Sequence, residues 1–418
     1  MRRLWIALCL LALTGTSARA DDGFFFKKGD RIVFLGDSIT EQYQYSTYIE
    51  LYLTTRFPGW DLTFINAGIG GDTATGGTNR FKAHVLDEKP TCVTIDFGMN
   101  DGGYGGFDAA RNAGYVKGTT SMLEAAKKAG VRVALISPNA VDRRKGKNFP
   151  VYLETQKQFY EPLKGLAQKY EDSFVDQYAV TRAVLEKAEQ TDPKAEKVNP
   201  FPDGVHTSPS GGLLMAHAIL TGLHAPAKVS DVSISIGKPE PKTEHCTVEN
   251  LQAGRDGVSF DRTDEAIPMP VHKDWLALLP SVNELKDLNY YGLTVDGLAD
   301  GKYALSIDGK GVATFTSKEL AGGVNLGNVT VGPIYDQGQK VSSAIGDKND
   351  VVHKRFRGVV MSNVTFPEWA RDLGQQFAVR RSEELKKRMD DINMRQAEIY
   401  KLTKPAKHTF KLESAKGE

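Results

Sequence analysis

Four short segments hold residues whose types and spacing can do chemistry. "GDS" (36–38) carries Ser38, "NAGIGGDT" (66–73) carries Gly68, Gly70 and Gly71, "GMND" (98–101) carries Asn100, and "DGVH" (203–206) carries Asp203 and His206. A serine hydroxyl is a poor nucleophile until a base removes its proton. His206 is the natural base, and Asp203 in the same loop can hold the imidazole in the right tautomer and stabilise its charged form. Attack on an ester carbonyl builds an oxyanion, which needs donors already in place. These are the Ser38 backbone N–H, a glycine N–H where the backbone approaches closely, and a side-chain amide. Gly71 and Asn100 fit the last two roles.

Each segment alone has an ordinary reading. Ser38 and Glu41 are spaced as a helix capping box. "GMND" suits a turn at a strand end, and the glycines suit a tight turn. Asp350 and His353 repeat the Asp-x-x-His spacing in a charged, helical stretch, where neighbours of that separation form a solvated surface pair. Asp37, Asp72 and Asp101 stand beside glycines and read as acids that fix turns through their own backbone. The distinguishing feature is that four independent motifs occur in one order along one kind of scaffold.

That scaffold is an alternation of short apolar runs with longer amphipathic ones over residues 31–224. The strand candidates are "RIVFL" (31–35), "DLTFI" (61–65), "TCVTIDF" (91–97), "VRVALIS" (131–137) and "DSFVD" (172–176). They are β-branched and nearly continuous, as in strands covered on both faces. Helix candidates lie at about 41–56, 78–88, 109–129, 151–170, 178–190 and 209–223. Such alternation predicts a parallel sheet with helices on both sides, a three-layer α/β/α sandwich. Ligands in open sheets of this class bind outside the carboxyl ends of the strands. The first three motifs fall there directly. The fourth lies past the fifth strand and a helix, in a loop that can return to the same edge.

The four blocks, in this order, resemble the SGNH (GDSL) hydrolases. "GDS" is similar to block I, the Gly71 neighbourhood to block II, "GMND" to block III and "DGVH" to block V. The segments 80–90 and 206–220 are similar to the family's flanks. The resemblance covers about residues 30–222 and implies a flavodoxin-like sandwich on a five-stranded parallel sheet, with esterase chemistry through an acyl-enzyme. It implies Ser38 as nucleophile, His206 as base and Asp203 as its orienting acid, with Ser38, Gly71 and Asn100 lining the oxyanion hole. Which of Gly68, Gly70 and Gly71 donates stays open, with the place before "DT" favouring Gly71. Motifs after residue 225 resemble extended secreted bacterial members.

The rest of the chain bounds the reading. It has 418 residues, 40% apolar and 25% charged, with a formal net charge of +1, so no strong field points to nucleic acid or an anionic membrane. "MRR", the apolar "LWIALCLLAL" and "SARA" predict a secretory signal peptide over 1–20, cut after Ala20. The cut removes Arg2, Arg3 and Arg19 and no acid, which takes the formal charge to −2. Cys9 lacks the small residues before it that a lipid anchor requires. The hydrolase-type domain is expected over 21–224, a β-rich accessory segment over 225–330 and a helical region over 331–418. Asp300-Gly301 and Asp308-Gly309 are hairpin-turn candidates. Cys92 reads as a core residue, with pairing to Cys246 left open. No paired His/Cys spacing, P-loop or dinucleotide fingerprint occurs, so no metal or cofactor is expected. Tyr43, Tyr45, Tyr104 and Phe107 flank the motifs and suit either sugar stacking or packing. The expected partner is a small-molecule or polysaccharide acyl ester, met outside the cytoplasm, with no nucleic acid and no stable membrane insertion. The alternatives are an O-acyltransferase of the same fold, or a carbohydrate-binding envelope protein with little catalysis.

Overall fold

The computed structural model describes residues 23–415 apart from 239 and 363, so the expected signal peptide lies outside the described residues. Five strands form the first sheet: β1 (Arg31–Gly36), β2 (Thr63–Gly68), β3 (Cys92–Asp96), β4 (Arg132–Ile136) and β5 (Ser173–Val175). Their order is β2-β1-β3-β4-β5, all parallel. The continuous apolar runs have a simple cause. Ile32 and Phe34 of β1 enter the core on one face, while Val33 and Leu35 enter the core on the other. Both side-chain directions of a strand are buried when helices cover both faces.

The helices of this portion are α1 (Ser38–Glu41), α2 (Gln44–Arg56), α3 (Ala74–His84), α4 (Met99–Gly102), α5 (Ala109–Ala129), α6 (Phe149–Tyr160), α7 (Pro162–Tyr170), α8 (Gln177–Thr191) and α9 (Pro209–Gly222). Two expected helices are broken. The one at 151–170 divides into α6 and α7 at Pro162, which has no N–H to continue the ladder. The one at 41–56 divides at Tyr43, whose φ of 61° turns the chain between α1 and α2. The helix expected at 78–88 begins earlier, at Ala74, because the Thr73 side chain caps it by accepting from the Gly76 N–H.

Beyond residue 225 the strands are β6 (Lys228–Ser235), β7 (Lys242–Glu244), β8 (Cys246–Gly254), β9 (Gly257–Asp264), β10 (Tyr290–Asp296), β11 (Lys302–Ile307), β12 (Lys310–Thr316), β13 (Val324–Asn325) and β14 (Lys407–Ser414). They form a sheet of order β13-β10-β6-β7 and another of order β12-β11-β14-β9-β8. Asp308 and Gly309, both at positive φ, make the two-residue turn of the β11–β12 hairpin. Asp300-Gly301 makes no hairpin, since β10 and β11 lie in different sheets. The helical reading of 331–418 also needs correction. Its last segment is strand β14, which inserts between β11 and β9 with Phe410 and Leu412 buried. That alternation spans few residues and follows a long charged helix, so its period of two is easily lost. Cys92 and Cys246 are both free and both buried, in different sheets, so the open pairing does not form.

Two long helices, Pro333–Arg355 and Arg371–Leu402, pack together and back onto the first portion. Val341, Ile345 and Ile399 share a core with Ile49 and Leu53 of α2. On the second of these helices Ile392 and Ile399 are buried, and Leu385 and Met389 pack against the core. Leu402 is exposed. Lys348 pairs with Glu50 in full burial and reaches Gln396 at 3.0 Å. Arg355 meets Glu88 through two bonds of 2.7 and 3.1 Å. Breaking a buried pair by removing one partner costs about 3–5 kcal/mol, because the other charge is stranded. The C-terminal helices are therefore energetically part of the first portion rather than an appendage.

Candidate active site

The register of the sheet sets the site's floor. Gly36 is level with Gly68 on one side and Asp96 on the other, so the loops after β1, β2 and β3 leave at the same height. Gly36 must be glycine, since an added Cβ would fall 2.1 Å from Thr40 Oγ1 and 2.7 Å from the Asp96 carbonyl. Asp37 then caps α1 by accepting from the Ile39 N–H at 3.0 Å. Ser38 is the first helical residue, where a backbone N–H has no carbonyl one turn back to meet.

Ser38 Oγ lies 2.8 Å from His206 Nε2, and His206 Nδ1 lies 2.7 Å from Asp203 Oδ2. With the carboxylate accepting at Nδ1, the hydrogen-bond network places the proton there and leaves Nε2 to accept from the Ser38 hydroxyl. The second oxygen of Asp203 accepts from the backbone N–H groups of Val205 (2.9 Å) and His206 (2.8 Å). Burial raises the Asp203 carboxyl, but the bonds from the His206 ring and from these two N–H groups outweigh it and hold the acid below the usual range. The loop is fixed to its surroundings. Asp142 N–H donates to the Gly204 carbonyl at 2.9 Å, and Asn139 Nδ2 to the Val205 carbonyl at 3.3 Å. Gln42 Oε1 accepts from both the Thr207 N–H and hydroxyl at 3.1 and 3.0 Å, tying the histidine loop to the serine segment. The site is open to solvent, with the side chains of His206 and Asp203 39% and 57% exposed.

The three glycines separate by what their N–H groups already do. Gly68 donates to Asn66 Oδ1 at 2.9 Å and Gly70 to Glu41 Oε2 at 2.6 Å. Among the described residues nothing accepts from Gly71, which sits at φ +75° at the surface. Asn100 Nδ2 donates to the Asp72 carbonyl at 2.9 Å, with a longer approach of 3.4 Å to Asp37 Oδ2. Its Oδ1 accepts from the Tyr104 hydroxyl at 3.1 Å, which fixes which way the amide faces. Burial pushes the Tyr104 hydroxyl up to about 12, so it stays protonated as a donor.

Asp37, Asp72 and Asp101 each take a backbone N–H, from Ile39, Thr73 and Ala74 respectively. Burial pushes the Asp37 carboxyl up to about 7. The Ile39 N–H opposes the rise, and neighbouring Asp101 adds to it. Asp101 is pushed up to about 6, again chiefly by burial. Of the flanking aromatics, Tyr45 is fully buried and bonds Thr40, and Tyr43 meets the His353 ring edge-on at 5.7 Å. Tyr104 is half-buried against Asn100, and Phe107 is exposed. Asp350 and His353 lie on the Pro333–Arg355 helix and reach neither Ser38 nor each other by a hydrogen bond among the described residues. Nor is there, among those residues, a group of three or more His, Cys, Asp or Glu side chains arranged to hold a metal ion.

Two residues of consequence carried no signal in the sequence. Arg80 donates to Asp72 Oδ2 (2.6 Å), the Ala67 carbonyl (2.7 Å) and the Gly36 carbonyl (3.0 Å). It thereby joins the ends of β1 and β2 to the residue after Gly71. Gln42 is the other, and both act across the fold without leaving a periodic pattern. Tyr104, expected to stack or pack, also orients Asn100 through its hydroxyl. Chemically, the arrangement offers a serine with a proton acceptor in contact, an acid behind that acceptor, and donors on adjoining loops.

Residues 34–212 match the family model described as GDSL-like lipase/acylhydrolase. The chain is similar to an esterase of Pseudomonas aeruginosa, TesA, at 31% identity over 141 residues, covering 32% of this chain and 64% of that protein. It is similar to an uncharacterized lipoprotein of Bacillus subtilis, YqeF, at 31% identity over 130 residues, covering 30% of this chain and 52% of that protein. The matches span about half to two thirds of these curated relatives' lengths. Among solved structures, a gut microbial diltiazem-metabolizing enzyme is similar over 93% of this chain and 98% of its own, with a TM-score of 0.79 and 25% identity. That likeness therefore extends through the sheets and helices beyond residue 225.

Proposed function

We propose that this chain, whose residues 34–212 match the GDSL-like lipase/acylhydrolase family model, is an exported serine esterase that removes short acyl groups, acetyl foremost, from carbohydrate. One observation carries the proposal: Ser38 Oγ, the His206 ring and the Asp203 carboxylate form an unbroken line of contacts of 2.8 and 2.7 Å. In the proposed reaction His206 Nε2 takes the Ser38 proton as the oxygen attacks the ester carbonyl. The carbonyl oxygen, now charged, is met by the Ser38 and Gly71 N–H groups and by Asn100 Nδ2. Asn100 keeps its 2.9 Å bond to Asp72 and turns its other N–H from the distant Asp37 oxygen to the oxyanion. The alcohol leaves with the proton held by His206, and water activated by the same ring releases the acid from the acyl-enzyme.

The exposure of His206 and Asp203 supports small acyl groups on bulky, polar alcohols, since the leaving group can remain in solvent. Half-buried Tyr104, bonded to Asn100, and exposed Phe107 three residues on are the candidate aromatic contacts for a sugar. Export rests on the residues 1–20 pattern. A panel of aryl esters of increasing acyl length and acetylated oligosaccharides, assayed with the wild type and Ser38→Ala, tests the reading. The expected result is release of free acetate, a fall in rate with acyl length and no turnover by the variant. Acetylated acceptor in place of free acetate replaces hydrolysis by transfer, and preference for long chains overturns the short-acyl assignment.

A further inference from the structure

The C-terminal region reaches the proposed oxyanion loop indirectly, through a contact between Arg357 and Glu41. After the Pro333–Arg355 helix the chain makes a π-helical turn, Phe356–Val360. Such turns are rare and cluster at functional sites. This one is held from several sides. Phe356, Val359 and Val360 are buried, with Phe356 edge-on to the His84 ring at 5.2 Å. Arg355 just before it is paired with buried Glu88. Arg381 of the next helix donates to the Val359 and Val360 carbonyls at 3.0 and 2.7 Å. The residue this turn presents outward is Arg357, whose guanidinium stands 3.4 Å from Glu41 Oε1. The other oxygen of Glu41 accepts from the Gly70 N–H at 2.6 Å, and Gly70 immediately precedes Gly71.

The charge of Glu41 makes this contact consequential. Glu41 Oε2 and Ser38 Cβ lie 3.1 and 3.9 Å from the position a Cβ would take on Gly70. A carboxylate there orders the glycine turn, but its charge also opposes the negative charge that develops beside Ser38. Arg357 answers both needs. It stands beside the other carboxylate oxygen as an ion pair, while the same Nη1 also donates to Met361 Sδ at 3.5 Å, and it offsets the carboxylate's charge.

We propose that Arg357 is a positioning residue for the ester reaction, acting through Glu41 and Gly70 on the Gly71 donor, so that the C-terminal region completes the active site. This rests on the reading of Ser38 and Gly71 given under Proposed function. Arg357 is 42% exposed, so its replacement leaves the fold intact. Kinetics on 4-nitrophenyl acetate with Arg357→Gln, Arg357→Lys, Glu41→Gln and the Arg357→Gln/Glu41→Gln double variant test it. Arg357→Gln lowers kcat about 10-fold, less than the roughly 10²–10³-fold for losing an oxyanion donor outright. KM and the thermal midpoint stay unchanged, and Arg357→Lys recovers most of the rate. Glu41→Gln keeps an oxygen for Gly70 and removes the charge, so adding Arg357→Gln to it has no further effect. A wild-type kcat for Arg357→Gln, or an equal loss in both backgrounds, overturns the proposal. Turnover by Ser38→Ala, measured alongside, instead overturns the reading on which it rests.

Discussion

The chain contains Asp-x-x-His twice, and the two copies behave differently. Asp203 and His206 lie in a loop whose backbone folds back on the carboxylate, so one oxygen collects two N–H groups while the other meets Nδ1. Asp350 and His353 lie within a helix, where the backbone N–H groups are already spent on carbonyls one turn back. There Asp350 is exposed, and His353 packs its ring on Tyr43. Spacing supplies the residues, and the backbone between them decides whether a carboxylate is organised to orient an imidazole.

That contrast can be pressed from its strongest consequence down. His206→Ala removes the proposed base and lowers kcat on an aryl acetate by about 10⁴-fold or more; steady-state kinetics on the folded variant checks this. Asn100→Ala costs about 10²–10³-fold, as one of three proposed donors, and the loss falls on kcat rather than KM. The next effect is on stability. Burial keeps the folded Asp37 carboxyl protonated up to about 7, whereas in the unfolded chain it ionises near the ordinary aspartate value of about 4. Between those values the folded protein holds a proton that the unfolded chain has lost, so the Asp37 contribution to stability falls as pH rises through this window. Asp37→Asn removes this contribution, and urea unfolding at pH 5 and pH 8 shows a smaller difference for the variant than for the wild type. At the bottom of the scale, Asp350→Ala leaves kcat and KM unchanged. A large loss there reverses the assignment of the two copies.

The elements legible in the sequence are those whose cause is local. β1 to β5 announce themselves as unbroken apolar runs because both faces are covered, and the serine, asparagine and glycine motifs stand directly at their ends. Glu41 was legible as part of a helix start. Its second role, accepting from Gly70, depends on a loop 29 residues away in sequence. Gln42 on Thr207, Arg80 on Asp72 and the carbonyls at the ends of β1 and β2, and Arg357 on Glu41 are polar contacts across the fold, and no periodicity foreshadows them. β14 was hidden for a related reason: its partners β11 and β9 are distant in sequence, and its own alternation is short. The C-terminal helices were legible as helices. Their attachment was not, because the buried Lys348–Glu50 pair reads in sequence as two ordinary surface charges.

The central claim is that Ser38 is the group that attacks the ester, with His206 as its base. The most direct measurement is kcat for Ser38→Ala against wild type on 4-nitrophenyl acetate, with folding of both verified by circular dichroism. A well-folded variant with a loss on the order of 10⁴-fold or more is the predicted result. A well-folded variant that keeps most of its turnover contradicts the account.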